Sequence, residues 1–192
     1  MRHVALAAFA AFVSIAPAGV QSITITGGHE NAVGEIVAPA PGVVGKNNFQ
    51  DFTLRAFDEL QNVTLEQDLV LGDRTIAAGT TVNSTAVVWD PANGALVYAD
   101  ILFEGDILGV ATTREELRLT DSLFALDTVD YRDPKHRGLE KRDSSLISGS
   151  TLSIDFRASS PGDFIRVLTV IPTPGSAMAL AVGFAVMARR KR

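Results

Sequence analysis

Two apolar segments, one at each end of the chain, constrain its architecture more than any other feature. The N-terminal segment covers residues 4–15, behind a short basic start, and is followed by Ala16-Pro17-Ala18. The C-terminal segment covers residues 176–188, carries no charge, and ends in four basic residues, Arg189, Arg190, Lys191 and Arg192. Neither segment shows the polar face of a helix at a protein surface. We therefore expect both ends to meet a membrane and the folded domain to lie between them.

The N-terminal segment has the three-part pattern of a secretory signal peptide. Arg2 supplies the positive charge, residues 4–15 supply the apolar stretch, and Ala16 and Ala18 supply the small side chains of a cleavage site. A buried N-terminal helix is the alternative, but Pro17 and Gly19 follow the apolar stretch at once. We expect residues 1–18 to be a signal helix that is removed after Ala18.

The C-terminal segment is short for a transmembrane helix. Thirteen helical residues rise about 20 Å, against about 30 Å for the hydrocarbon core of a bilayer. The basic tail should stay on the cytoplasmic side, which leaves everything before Pro174 outside, the same topology that the signal peptide demands. The tract before the helix contains two prolines and must be extended; it reads Ile171, Pro172, Thr173, Pro174 and Gly175.

The succession of proline motif, short apolar helix and basic cluster resembles the PEP-CTERM sorting signal of Gram-negative bacteria. The resemblance covers residues 171–192, with Ile-Pro-Thr-Pro in place of the family's Val-Pro-Glu-Pro, so that Thr173 replaces the usual Glu. It implies that an exosortase-type enzyme recognises and removes the tail while the protein is held at the inner membrane, as happens with other cleavable hydrophobic tails. A plain membrane anchor is the alternative.

The region between the two ends is strongly acidic. The whole chain has 17 basic and 22 acidic residues, and setting aside Arg2 and the terminal basic cluster leaves 12 basic residues against the same 22, a net charge near −10. This balance argues against nucleic acid as a partner. The absence of cysteine excludes disulfides, thiolate metal sites and a thiol nucleophile.

Residues 19–170 have the length of one domain, and their patterning predicts a mainly β fold. Alternation or β-branched runs predict strands at 23–26, 81–89, 95–103, 152–157 and 164–170, whereas 32–45 has the composition of a loop. The turn-forming sequence at 90–94 predicts a hairpin of 81–89 with 95–103, and Gly162-Asp163 predicts pairing of the last two strands. We expect an antiparallel β-sandwich.

One helix is expected at about 113–124. Thr112 or Thr113 can cap it, a glutamate follows three residues later, and leucines with Phe124 form an apolar side. The stretch 47–169 also resembles a module that recurs in PEP-CTERM proteins, in pieces such as Phe103-Glu104-Gly105-Asp106. This second resemblance implies a secreted β-domain with no assigned activity.

Candidate chemistry is sparse. Asp100, Glu104 and Asp106 flank a glycine between two strand-like runs and could hold Ca²⁺, which prefers oxygen ligands; no other cofactor is expected. Asp127, Asp130 and Asp133 are a weaker candidate of the same kind. The histidines beyond the signal segment are His29 and His136, and neither accompanies a G-x-S-x-G motif.

We therefore expect an exported protein of the cell envelope, cell surface or extracellular matrix, with a structural or adhesive role and no catalysis. Extracellular polysaccharide is an expected partner. The alternatives are a secreted polysaccharide-active enzyme, which would need two carboxylates in one cleft, and a Ca²⁺-dependent binding module.

Overall fold

The computed structural model describes residues 19–45, 47–132, 137–158 and 162–171, which form a mainly β architecture with one helix, as expected. The helix, α1, spans Arg114–Phe124. The strands are β1 (Val20–Gly28), β2 (Val33–Ile36), β3 (Val43–Val44), β4 (Thr53–Asp58), β5 (Val63–Thr64), β6 (Leu69–Leu71), β7 (Arg74–Ile76), β8 (Thr81–Trp89), β9 (Val97–Phe103), β10 (Ile107–Ala111), β11 (Asp130–Tyr131), β12 (Ser144–Ser148), β13 (Thr151–Phe156) and β14 (Asp163–Val170).

The two helices expected at the ends of the chain lie outside the described residues. Within the described ranges, no helix has the length and apolar character needed to cross a bilayer.

Two sheets carry most of the strands. The four-stranded sheet has the order β1-β9-β13-β12 and is antiparallel throughout. The six-stranded sheet has the order β10-β14-β8-β4-β2, with β5 on β8, and is antiparallel except where β2 runs parallel to β4. Two small sheets complete the fold, a parallel β3–β11 pair and an antiparallel β6–β7 pair.

A first apolar core fills the space between the two large sheets. Strand alternation supplies it, because every second side chain of a strand faces the same way. In β13 the buried positions are Leu152, Ile154 and Phe156, and they pack with Val87 and Val167 of the six-stranded sheet.

A second apolar core covers the opposite face of the six-stranded sheet. It contains Ala86 and Val88 of β8, together with Leu117 and Phe124 of α1 and residues of β6 and β7. Because both faces of the sheet are covered, β8 is buried at nearly every position instead of alternating.

The strands at 81–89 and 95–103 exist, but the hairpin predicted between them is wrong. β8 lies in the six-stranded sheet between β14 and β4, whereas β9 lies in the four-stranded sheet between β1 and β13. The segment at 90–94 therefore carries the chain from one layer to the other. Asp90 fixes the first residue of this connection to the loop before β4, because Oδ2 of its buried carboxylate accepts the backbone N–H of Phe49 at 3.0 Å.

The predicted pairing of the last two strands, β13 and β14, is also wrong, because these strands lie in different sheets. β13 pairs with β9 and β12, and β14 pairs with β8 and β10. The stretch 32–45, expected as a loop, is mainly irregular but contains β2 and β3, whose partners are both parallel. A turn signal shows that the chain reverses, but it does not tell in which layer the next strand pairs.

The helix prediction is confirmed, including its N-terminal cap. The Thr113 side chain accepts the Glu116 N–H, and the Glu116 carboxylate accepts the N–H of Thr113, which together form a capping box. The same carboxylate accepts the N–H groups of Thr112 at 2.9 Å and Gly72 at 2.7 Å. Burial raises the pKa of Glu116, but these N–H groups lower it more, so that its pKa lies below the usual range. Glu116 thus ties the start of α1 to the β6–β7 turn.

Replacing the capping hydroxyl should weaken the helix. Thr113→Ala removes the side-chain acceptor of the Glu116 N–H, and we expect a loss of about 1 kcal/mol in the free energy of unfolding. Thr112→Ala is the matched control, since Thr112 contributes its backbone N–H and not its side chain to the cap. Urea unfolding curves measure both variants, and equal losses would contradict the assignment of the cap.

Candidate functional site

A buried ion pair lies between the six-stranded sheet and α1. Arg166 of β14 is 0% exposed and Glu59, which follows β4, is 3% exposed. The Arg166 guanidinium donates from Nε to Oε2 of Glu59 at 2.5 Å and from Nη2 to Oε1 at 2.7 Å. Strand alternation explains the placement: Ile165 and Val167 face the first core, so Arg166 faces α1. Two parallel charge-assisted hydrogen bonds of this kind fix both side chains in orientation.

The helix supplies the remaining acceptors of Arg166. Nη1 donates to the Thr120 hydroxyl at 2.7 Å and to the Leu117 carbonyl at 3.3 Å, and Nη1 and Nη2 each lie 3.2 Å from Oδ1 of Asp121. Burial lowers the pKa of Arg166, but Glu59 and Asp121 raise it more, so that the guanidinium stays charged.

Two hydroxyl groups complete the shell of Glu59. Ser84 of β8 donates to Oε2 at 2.7 Å, and Tyr131 of β11 donates to Oε1 at 2.8 Å. Burial, followed by the charge of Glu59, raises the pKa of Tyr131 far above its usual range. The phenol therefore remains a hydrogen-bond donor at neutral pH.

Asp121 links the ion pair to a second arginine. Arg137, 7% exposed, donates from Nη1 to Oδ1 of Asp121 at 3.1 Å and from Nη2 to Oδ2 at 2.5 Å. Its guanidinium also lies 5.9 Å from the ring centre of Tyr131 and 5.6 Å from that of Phe164, within cation–π range. We call Glu59, Asp121, Arg137 and Arg166 the buried charge network. Its two positive and two negative charges balance, and the four side chains bond largely to one another. This arrangement indicates a structural role, in which the network holds α1 against the sheet.

Sequence reasoning did not identify this network, although one signal was present. Arg166 stands inside the apolar run Phe164–Val170, where a charge can be buried only with a partner. Nothing in the sequence identifies Glu59 as that partner, because 107 positions separate the two.

Of the predicted calcium ligands, Asp100 lies on a strand, whereas Glu104 and Asp106 share a turn. Asp100 lies on the exposed side of β9 and accepts the Ser153 hydroxyl at 2.6 Å. Glu104 and Asp106 lie on the turn between β9 and β10, where their backbone groups bond to Gly19 and Val170. The described residues contain no group of three or more histidines and carboxylates placed to hold a metal ion, so the structure does not bring the three together as a site.

The other sequence candidates also have local partners. His29 stacks on Phe52 with 3.7 Å between ring centres, and its Nδ1 accepts the Asn31 N–H at 3.2 Å. Asp130 pairs with Arg132 at the surface. Asp133 and His136 lie outside the described residues, as do Ala16, Ala18 and the sorting motif beyond Ile171.

A pocket opens beside the first residue of the domain. It has a volume of about 510 Å³, and its wall is mainly apolar, with Val37, Pro39 and Leu126 among the lining residues. Gly19 and the half-buried Asp58 lie on one side of it. Burial, followed by the charge of Glu104, raises the pKa of Asp58, and the Thr85 hydroxyl at 3.3 Å lowers it less.

Another buried carboxylate lies at the start of β14. Asp163 is 3% exposed, and its Oδ2 has no hydrogen-bond partner among the described residues. Burial, followed by the charges of Asp143 and Glu140, raises its pKa to about 8. Asp163 is therefore protonated at neutral pH in the folded domain.

Breaking the buried ion pair should be costly. Arg166→Met leaves Glu59 charged and buried without its main partner, and we expect a loss of about 3–5 kcal/mol in the free energy of unfolding. Arg118→Met is the matched control, because Arg118 pairs with Glu115 on the exposed side of α1 and should contribute little. Chemical denaturation measures the free energy of unfolding of both variants. Similar losses in the two variants would show that the buried charge network does not stabilise the fold.

Asp163→Asn should stabilise the protein at pH 8 and change it little at pH 4. The folded pKa of about 8 lies above the ordinary value of 3.8, so the folded state keeps a proton that the unfolded chain releases in this window. Stability in the wild type therefore falls as pH rises from about 4 to 8, by up to about 1.4 kcal/mol per pH unit. Asparagine does not titrate, so the free energy of unfolding of the variant should fall less between pH 4 and pH 8. Urea unfolding at pH 4, 6 and 8 tests this, with the exposed Asp73→Asn as control; parallel curves for wild type and Asp163→Asn would contradict it.

No protein-family model, curated protein or solved structure matched the chain when it was compared with all three.

Proposed function

We propose that the chain is an exported protein of the cell envelope, cell surface or extracellular matrix. A signal peptide at residues 1–18 directs export, and a PEP-CTERM-like tail at 171–192 holds the protein at the inner membrane until an exosortase-type enzyme removes it. The domain between them is a two-sheet β-sandwich with a structural or adhesive role, without catalysis, and extracellular polysaccharide is the partner that we expect for its surface.

The sequence of the two ends carries this proposal. The signal peptide and the basic C-terminal cluster specify the same membrane topology independently. The acidic domain between them, with a net charge near −10, stays soluble outside the membrane and is repelled by anionic surfaces.

The positions of the domain's two ends support the same topology. The Gly19 carbonyl accepts the N–H of Glu104, and the N–H of Val170 donates to the carbonyl of Asp106, each at 3.0 Å. Glu104 and Asp106 are two positions apart on one turn, which puts the start and the end of the domain on the same side. This arrangement is compatible with a domain whose two ends both lead to the same membrane.

Production of the full chain in Gram-negative hosts with and without an exosortase tests the proposal. In the host that has the enzyme, we expect intact mass to show a mature chain that starts at Gly19 and ends near the proline motif. In the host that lacks it, the tail should be retained and the protein should fractionate with the membrane.

Variants of the motif sharpen this test. Pro172→Ala with Pro174→Ala should block removal of the tail, because the extended tract that an enzyme can bind is lost. Thr173→Glu, which restores the family's residue, should be processed at least as well as the wild type. Equal C-terminal masses in both hosts would contradict exosortase processing, and full-length soluble protein in the cytosol would contradict export.

A further inference from the structure

The residue expected to follow the cleavage site lies against a carboxylate. A Cβ placed on Gly19 would overlap Oδ1 of Asp58 and would lie 2.8 Å from both Cγ and Oδ2. The Gly19 nitrogen is bonded to the same Cα, about 2.5 Å from that Cβ position, so it lies within about 5 Å of the carboxylate. Glycine is the residue that lets the backbone come this close, because any side chain would have to displace Asp58.

This carboxylate has an acidic neighbour and one side-chain hydrogen bond within the described part of the chain. Asp58 ends β4 on the face that points to β1, is half-buried, and receives one side-chain hydrogen bond, from Thr85 at 3.3 Å. Among the described residues, the charged group that acts on it is Glu104, which repels it. The backbone of Glu104 is itself bonded to Gly19. The Asp58 carboxylate thus adjoins Gly19 and Glu104 adds its negative charge nearby, so a positive charge at Gly19 would be stabilised.

We propose that cleavage after Ala18 creates this positive charge: the new α-ammonium group of Gly19 forms an ion pair with Asp58 that joins the start of β1 to the end of β4. The inference rests on the proposed export. Hydrolysis of the Ala18–Gly19 peptide bond consumes one water, leaves a carboxylate on Ala18 and an amine on Gly19, and the amine takes up a proton at neutral pH. In the uncleaved precursor the same nitrogen is an uncharged amide, so the ion pair is specific to the mature protein and links the two large sheets across the first core.

The reactivity of the N-terminal amine measures the ion pair directly. Acetic anhydride modifies an amine in its deprotonated form, and an opposite charge within 4–6 Å raises the amine's pKa by about 1–3 units. In mature protein purified from an exporting host, we expect the Gly19 amine to be acetylated about tenfold more slowly at pH 7 in wild type than in Asp58→Asn. Mass spectrometry of the N-terminal peptide gives the rate. Asp100→Asn, which removes an acid exposed on β9, should leave the rate unchanged.

The outcomes separate this inference from the proposed function. Equal rates in wild type and Asp58→Asn would overturn the ion pair while leaving export intact, and so would an N-terminus other than Gly19. A chain that retains residues 1–18 would overturn export itself. Should Asp58→Asn fail to fold, the pH profile of wild-type acetylation decides: a pKa clearly above the ordinary α-amino value of about 8 supports the ion pair, and one at or below it overturns the ion pair.

Discussion

The ion pair between Arg166 and Glu59 is the interaction on which the second core depends. Removing two charges from water costs several kcal/mol for each ion, and only dense hydrogen bonding offsets that cost. Here the helix, β8 and β11 all contribute, through Thr120, Ser84 and Tyr131. Apolar contact alone does not fix the position of α1 along the sheet, because the hydrophobic effect is non-directional. The hydrogen bonds from Arg166 to Leu117 and Thr120 are directional, so they fix the position and orientation of the helix over β14.

The six-stranded sheet is buried on both faces because α1, β6 and β7 cover the face opposite the first core. Once α1, β6 and β7 are held over it, β8 and β14 can carry apolar side chains on both sides, and their sequences lose the alternation of a half-buried strand. β13 lies in the four-stranded sheet, with one face on the first core, and keeps its alternation. The difference between the two kinds of strand was visible in the sequence, but its cause, a covering layer on one sheet, was not.

Single helices and strands could be predicted from the sequence, whereas the neighbour of each strand in a sheet and the partner of each buried charge could not. The helix at 114–124 was predictable because its capping box lies within four residues, and β13 because its pattern is complete in six. The pairing of β8 with β14 joins residues about 80 positions apart, and tight turns at 90–94 favoured a closer partner that lies in the other sheet. The calcium site predicted at Asp100, Glu104 and Asp106 stays a prediction from proximity in sequence: the Asp100 side chain bonds to Ser153, whereas the backbone groups of Glu104 and Asp106 bond to Gly19 and Val170. The charge network that the structure does bring together joins residues from most of the domain.

The turn at 104–106 contacts both ends of the domain. β1 and β14 belong to different sheets, yet their outer ends bond to this single turn. Because the two ends of the domain meet here, forming these contacts closes nearly the whole chain into one loop, which has an entropic cost that grows slowly with loop length. Under the proposed function, the contacts at this turn keep the two ends together once the tail has been removed. Gly19, which precedes β1, lies against the Asp58 carboxylate, the group that we propose binds its amine.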